Sequence, residues 1–511
     1  MTVRQPKTKA VSEFGDFQTP PALACAATQV LRRLGFRPRS ILEPTCGRGA
    51  FVAAAAASFP EAEMIIGIDI NPDHLSAATT AVSQADSRVD LRQGNFFKVD
   101  WKNVVSKAGE PWLLVGNPPW VTSAELGAIE SDNLPVKSNF HGRIGIEAIT
   151  GKSNFDISEW MLLRYLDWLE DSAGTIAVLC KTAVARKILL HVWKKKIALR
   201  SASIYKIDAL GHFGAAVDAC FFILDIHPKT HALGCDIFDT LEAKVPSHTI
   251  GFLDGHIISD MQLFKQHRKL LGPEDRYIWR SGIKHDCSKV MELKTTPQGY
   301  QNGLGETVCI EDTILFPMLK SSDVGNGRTL CRGVMVVTQR LVGEDTGYIS
   351  SKAPATWDYL NRHAALLNKR GSVIYKNKPV FSIFGVGPYS FAPWKVAISG
   401  FYKKLHFEKI GQANGRPVVF DDTVYFLPCC SEDEASFIED LLRSDAAQAF
   451  YRSMIHWDDK RPITVDVLKR LSIHKLAAML GRERDYACFT RHNNLVRDGC
   501  GAQPLPLIYS D

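Results

Sequence analysis

The chain has 511 residues, 45% of them hydrophobic and 23% charged, which is apolar material enough for at least two substantial cores. Its net charge of +6 permits a polyanionic partner without demanding one. The opening MTVRQPKTKA lacks the apolar stretch of a secretory signal, and no run approaches the roughly 18 to 20 apolar residues of a membrane span. A cytoplasmic protein with no membrane partner is therefore expected.

From residue 39 to residue 225, short β-branched runs alternate with longer amphipathic stretches, the pattern of a doubly wound α/β sheet. Expected strands cover 40–42, 64–69, 89–91, 112–115, 175–179, 203–207 and 218–225, with helices over 51–58, 74–83, 157–170 and 187–199. The late segments IYKID and DACFFILDI follow each other through GHFGAA without room for a helix, so they are expected to pair antiparallel at one edge of the sheet. After His227 the alternation stops: VFSIFGVGPYSFAPWKVAISG is aromatic and rich in Gly and Pro, and the chain turns helical from Ser431. A domain boundary is expected near Pro228, dividing the chain into 1–228 and a mixed α+β part over 229–511 that is too aromatic to be disordered. The 12 cysteines include no CxxC pair, and only Cys429 and Cys430 are adjacent, so free thiols, mostly in cores, are expected rather than a metal site or disulfides.

The ends of the first strands carry the chemistry. ILEPTCGRGAFVAAAAA runs from a strand through a glycine turn into a helix, where Gly47 and Gly49 allow close backbone approach and the helix start offers N–H groups to a carboxylate. Glu43, at the strand end, suits an ammonium, and Thr45 belongs to the same turn. IIGIDINP ends the second strand on Asp69, suited to two ribose hydroxyls, and LRQGNFF puts Asn95 and Phe96 where an adenine could be bonded and packed. A lone GxG is more often just a tight turn, but three ligand-suited strand ends in succession share one edge of a parallel sheet and describe a nucleoside pocket.

The next strand runs WLLVGNPPW. Pro118 and Pro119 stiffen the turn, and the Asn117 amide oxygen with the Pro118 carbonyl are two acceptors able to grip both hydrogens of an aromatic amine. Trp120 offers a flat surface, and stacking on it is worth roughly 1–3 kcal/mol per base. On its own this tetrapeptide is equally well a strand-capping turn; in register behind a nucleoside pocket it points to amine methylation.

Taken in order, FQTPP, EPTCGRGAF, GIDINP, GNFF, NPPW, SNFDISEWMLLRYLDWL, GTIAVLCKTA and ALGHFGAAVDACFFIL resemble the gamma group of DNA adenine-N6 methyltransferases over about the first 225 residues. The resemblance implies a class I (Rossmann-like) methyltransferase sheet with an antiparallel edge hairpin, S-adenosylmethionine as cofactor, and a C-terminal target-recognition domain. By this likeness Thr19, Glu43, Thr45, Gly47 and Gly49 serve the methionine end, Asp69 the ribose, and Asn95 with Phe96 the adenine. Asn117 and Pro118 would bind the target amine, Trp120 would stack on the flipped base and Phe213 would press on it; Asp156 lies in the family's helix-start motif without an assigned role. Asparagine stands at 95 where aspartate is commoner, and tryptophan at 120 where tyrosine or phenylalanine is commoner.

A base inside a duplex cannot reach such a pocket, so the target must be flipped out at a cost of a few kcal/mol. The C-terminal part interleaves basic and aromatic residues in RYIWRSGIKHDCSK, VVTQRLVG, GPYSFAPWK and HWDDKRPIT, although each cluster alone reads as a solvated face beside a core ring. Expected partners are double-stranded DNA and a separate restriction endonuclease of a restriction-modification or phage-defence system. No nuclease constellation is recognisable, and no heptad run imposes a dimer, so a monomer is expected. Three alternatives remain open: transfer to the N4 amine of cytosine, an RNA or protein-glutamine methyltransferase using the same NPP-aromatic turn, and a DNA-binding specificity subunit whose catalytic fold is a relic.

Overall fold

In the first half of the chain, apolar residues fill whole strands rather than alternating with polar ones, which forces both faces of a sheet to be covered. The computed structural model describes residues 17–82, 86–106, 109–121, 156–169 and 172–492. Its first compact unit is Met1–Gln262 and its second Leu263–Asp511.

The first unit runs α1 (Pro21–Arg33), β1 (Ser40–Glu43), α2 (Ala50–Ser58), β2 (Met64–Asp69), α3 (Pro72–Ala81), β3 (Val89–Gln93), α4 (Trp101–Ser106) and β4 (Trp112–Gly116). It continues with α5 (Ile157–Trp168), β5 (Gly174–Lys181), α6 (Thr182–Lys195), β6 (Ser201–Ile207), α7 (Ala209–Phe213) and β7 (Ala219–Ile226), then β8 (Gly234–Phe238), β9 (His248–Leu253) and β10 (His256–Ile258). All ten strands form one sheet in the order β10-β9-β8-β6-β7-β5-β4-β1-β2-β3. Strands β3, β2, β1, β4 and β5 are mutually parallel, and β7 runs antiparallel to both β5 and β6. This is the class I methyltransferase arrangement.

Period-2 geometry sends neighbouring residues to opposite faces. Leu42, Ile66, Leu114, Ile176 and Val178 join the core under α5 and α6, whereas Ile41, Ile65, Leu113, Ala177 and Leu179 join the core under α1 and α2. Helix α3 starts two residues earlier than expected because Pro72 suits a first helical position and the Asn71 side chain accepts from the Asp73 N–H. Helix α6 likewise begins at Thr182, directly after β5, and ends where Lys196 adopts a left-handed conformation. The expected last residues of two helices, 83 and 170, lie outside the described residues, as does the SNF of SNFDISEWMLL.

Three expectations need correction. The segment between β6 and β7 does hold a helix, the five-residue α7, made possible because the Asp208 side chain accepts from the Gly211 N–H and Gly214 closes it in a left-handed conformation. The β6–β7 pair is not at an edge, since β8 pairs parallel with β6 and brings β9 and β10 with it. The boundary expected near Pro228 accordingly moves to 262, because strands after that proline complete the first unit's own sheet. The cysteines also divide more evenly than expected: Cys46, Cys180, Cys220, Cys235 and Cys429 are buried, but Cys25, Cys309, Cys430 and Cys488 are exposed.

The second unit is α+β. A six-stranded sheet and a four-stranded sheet, the latter built on the long antiparallel pair Trp394–Ser399 with Val424–Cys429, are followed by the helices Glu432–Arg443 and Asp445–Met454. Ser431 and Ser444 cap these helices through their side chains. No helix among the described residues is long and apolar enough to cross a membrane.

Candidate active site

Parallel strands deliver their C-terminal ends to one edge, and a cavity of about 350 Å³ opens there. Its lining brings together Thr19, Glu43, Thr45, Gly47, Asp69, Asn95, Phe96, Asn117 and Pro119, nine of the residues singled out from sequence. Gly49, Pro118, Trp120 and Phe213 are not in the lining.

Glu43 ends β1 and is only 3% exposed. Its carboxylate accepts from the Val52 N–H in the first turn of α2, while Oε2 is buried without a partner. Burial above all, and Asp69 nearby, push its pKa well above the ordinary carboxyl range. Such a group gains most from a cation brought against it. Asp69 is differently employed: Oδ2 accepts from Gly47 N–H and Oδ1 from Asn71 N–H, both at 2.8 Å, so it ties the first strand's turn to the second. The N–H groups of the glycine turn are thus less open than expected. Arg48 N–H donates to Gln18 Oε1 at 3.0 Å, and a Cβ at Gly47, where φ is +51°, would stand 2.7 Å from that oxygen. At Gly49 φ is +79° and a Cβ would lie 2.8 Å from that of Ala78 in α3, so backbone conformation and packing alone call for glycine there.

Asn95 Oδ1 accepts from Phe97 N–H at 2.9 Å, which closes a turn that asparagine and aspartate form equally well. Phe96 lines the cavity from a nest of rings comprising Phe97, Trp101, Trp160, Tyr165 and Trp168. The orientation of Asn117 is set by its Nδ2, which donates to the Phe17 carbonyl at 2.9 Å and leaves Oδ1 buried without a partner. Trp120 is 5% exposed, so it does not present the open face expected of it. Its Nε1 donates to the Leu179 carbonyl at 3.4 Å, and its ring packs against Phe17 and edge-on against Phe213, with centroids 5.8 and 5.1 Å away. The physical reason is area: a large indole beside two phenylalanines is better buried than left in water.

Phe17 and Gln18 are legible in the sequence only as part of FQTPP, and their contacts reach Asn117, 100 residues on, and Arg48, 30 residues on. His74, whose Nδ1 lies 3.4 Å from Asp69 Oδ1, and Met161 also line the cavity; one-residue signals of that kind do not stand out in a sequence. Asp156, without a role at first, caps α5 by accepting from Ser158 N–H and Oγ, and pairs with Lys181 at 2.6 Å.

S-adenosylmethionine carries an ammonium, a sulfonium, a ribose and an adenine. The orphaned Glu43 oxygen, the adjacent Asp69 carboxylate and the Phe96 ring suit those groups, so the residues present fit this cofactor.

No family model matches the chain. It is 45% identical over 476 residues to the type II methyltransferase M.NspV of Nostoc sp. (strain ATCC 29411 / PCC 7524), an alignment covering 93% of this chain and 98% of that protein. Among solved structures it is similar to the type IIL restriction-modification enzyme MmeI in complex with DNA, at a TM-score of 0.50 and 12% identity, over 94% of this chain and 75% of that one. The second likeness is one of fold.

Proposed function

The chain belongs to the type II methyltransferases, and from that premise we propose that it transfers a methyl group from S-adenosylmethionine to the N6 amine of an adenine flipped out of duplex DNA. The observation that carries this reading is the buried, unpartnered Oδ1 of Asn117 in a residue whose orientation Phe17 holds. When bound, the cofactor supplies an electrophilic methyl group on a sulfonium centre. Glu43 and Asp69 favour a cationic guest by their charge, and Thr19, Asn95 and Phe96 complete its enclosure.

An amine conjugated to a purine is a poor nucleophile because its lone pair is delocalised. Asn117 Oδ1 accepts one of its hydrogens and the Pro118 carbonyl the other. Two fixed acceptors favour a pyramidal nitrogen, and no prior deprotonation is needed. Removing a preorganised hydrogen-bonding group of this kind costs about 10²–10³ in rate. Trp120 and Phe213, packed edge-on, form the apolar wall beside this acceptor pair and give it rigidity.

In this reading the first unit is catalytic and the second recognises the target sequence. The fold likeness to MmeI, solved with DNA, extends over 94% of the chain and is consistent with DNA as the substrate. A separate endonuclease cutting the same sequence would be the partner, and the enzyme would act as a monomer. The test is to incubate the protein with labelled S-adenosylmethionine and mixed-sequence duplex DNA, digest to nucleosides, and separate them, with Asn117→Ala as control. Label in N6-methyladenine that is lost in the control is expected. Label in N4-methylcytosine moves the acceptor, and tight cofactor binding with no label in DNA overturns the DNA assignment in favour of RNA or protein.

A further inference from the structure

The NPPW turn is held at its far end by a lysine that the methyltransfer chemistry leaves unused. Lys181, the last residue of β5, donates from Nζ to the Trp120 carbonyl at 2.9 Å and to Asp156 Oδ2 at 2.6 Å. Its side chain is 23% exposed and that of Asp156 only 8%. Asp156 Oδ1 is occupied in turn by Ser158 N–H at 3.1 Å and Ser158 Oγ at 2.6 Å, at the start of α5. One residue further on, Ile157 N–H donates to the Val121 carbonyl at 2.9 Å. One ammonium therefore joins three places: the end of β5, the end of the NPPW turn, and the start of α5.

We infer that Lys181 is a positioning residue for methyl transfer, with Asp156 as its anchor. The reasoning rests on the proposed amine-binding role of Asn117 and Pro118. Gly116 is held by the sheet, pairing with Val178 of β5, and two consecutive prolines have nearly fixed φ. Fixing the Trp120 carbonyl therefore removes most of the remaining freedom of the two acceptors between. Backbone restraint alone would be served by any donor, but a carboxylate this deeply buried requires a cation, so Asp156 fixes where the ammonium sits as well as that it is present. Displacing a reacting group by about 1 Å can cost on the order of 100-fold in rate, which is the scale available to such a staple.

The variants are Lys181→Met, Lys181→Arg and the double variant Lys181→Met/Asp156→Asn, which removes the ammonium without stranding a buried charge. Four measurements are made on each: the thermal unfolding midpoint, S-adenosylmethionine affinity, the single-turnover rate of methyl transfer to DNA normalised to the burst amplitude, and amide exchange of the peptide spanning 115–121. Lys181→Met is expected to lose roughly 10- to 100-fold in rate, with cofactor affinity within about twofold and faster exchange over the turn. The double variant should recover the thermal midpoint but not the rate, and Lys181→Arg should recover both. If Lys181→Met does not fold, the double variant and Lys181→Arg carry the same comparison. A normalised rate and exchange in the double variant equal to wild type overturn the inference, as does a loss of cofactor affinity that accounts for the whole effect. Because exchange is read without DNA, it judges the staple even where wild type puts no label into DNA, an outcome that would instead remove the DNA assignment.

Discussion

Replacing Glu43 with glutamine separates charge from shape at the cofactor end of the cavity. The side chain is buried, one oxygen accepts from Val52 N–H, and the other lies orphaned with Asp69 nearby. Glutamine keeps the Val52 bond through its carbonyl and puts an uncharged amide NH2 in place of the orphaned oxygen. A hydrogen bond to a charged group contributes about 1.5–3 kcal/mol, so affinity for S-adenosylmethionine should fall roughly 10- to 150-fold. The protein without cofactor should not be destabilised, and a gain of about 1 kcal/mol is expected from removing an uncompensated buried acid.

The pH dependence follows with its sign. Burial raises the native pKa of Glu43 above the ordinary 4.5, so the native state holds its proton to higher pH than the unfolded chain. Its contribution to stability is most favourable below 4.5 and is lost as pH rises from there to the raised native value. Affinity for a cation moves the other way, improving over the same window as the carboxylate forms. Calorimetric titration with S-adenosylmethionine at several pH values, alongside thermal unfolding without it, reads both trends, and Glu43→Gln should flatten both. An affinity unchanged by the substitution, or a pH slope that survives it, would refute the assignment of Glu43 to the cationic guest.

Asn117→Ala should cost about 10²–10³ in single-turnover rate, measured with saturating cofactor. Cofactor affinity should fall only slightly, through the lost tie to the Phe17 carbonyl. Gly49→Ala should lower stability by about 1–3 kcal/mol in denaturant titration, because φ is +79° and the new methyl meets Ala78. In the second unit, burial lowers Lys395 from 10.5 to about 7, although Nζ still donates to the Ala392 carbonyl. The unfolded chain binds the extra proton between those values, so wild-type stability should rise with pH from about 7 toward 10.5. Lys395→Met should abolish that rise, seen as unfolding midpoints that converge with wild type at high pH.

Much of the first unit could be read from the linear chain because its causes are local. Buried runs such as MIIGID and WLLVG specify strands covered on both faces, and a parallel sheet must then gather Glu43, Asp69, Asn95 and Asn117 at one edge, where they line one cavity. What lay beyond sequence reasoning depends on partners far apart in the chain. Strands β8 to β10 are short and only partly buried, and only pairing with β6 makes them part of the first sheet. Trp120 is enclosed because Phe17 and Phe213 converge on it, and the glycine turn is closed by Gln18 and Asp69 rather than left open. Lys181 gains its place only when β5, the NPPW turn and α5 meet at a single ammonium. Periodicity records which face of an element is apolar; which side chains then share a few ångströms is decided by the packing of the whole sheet.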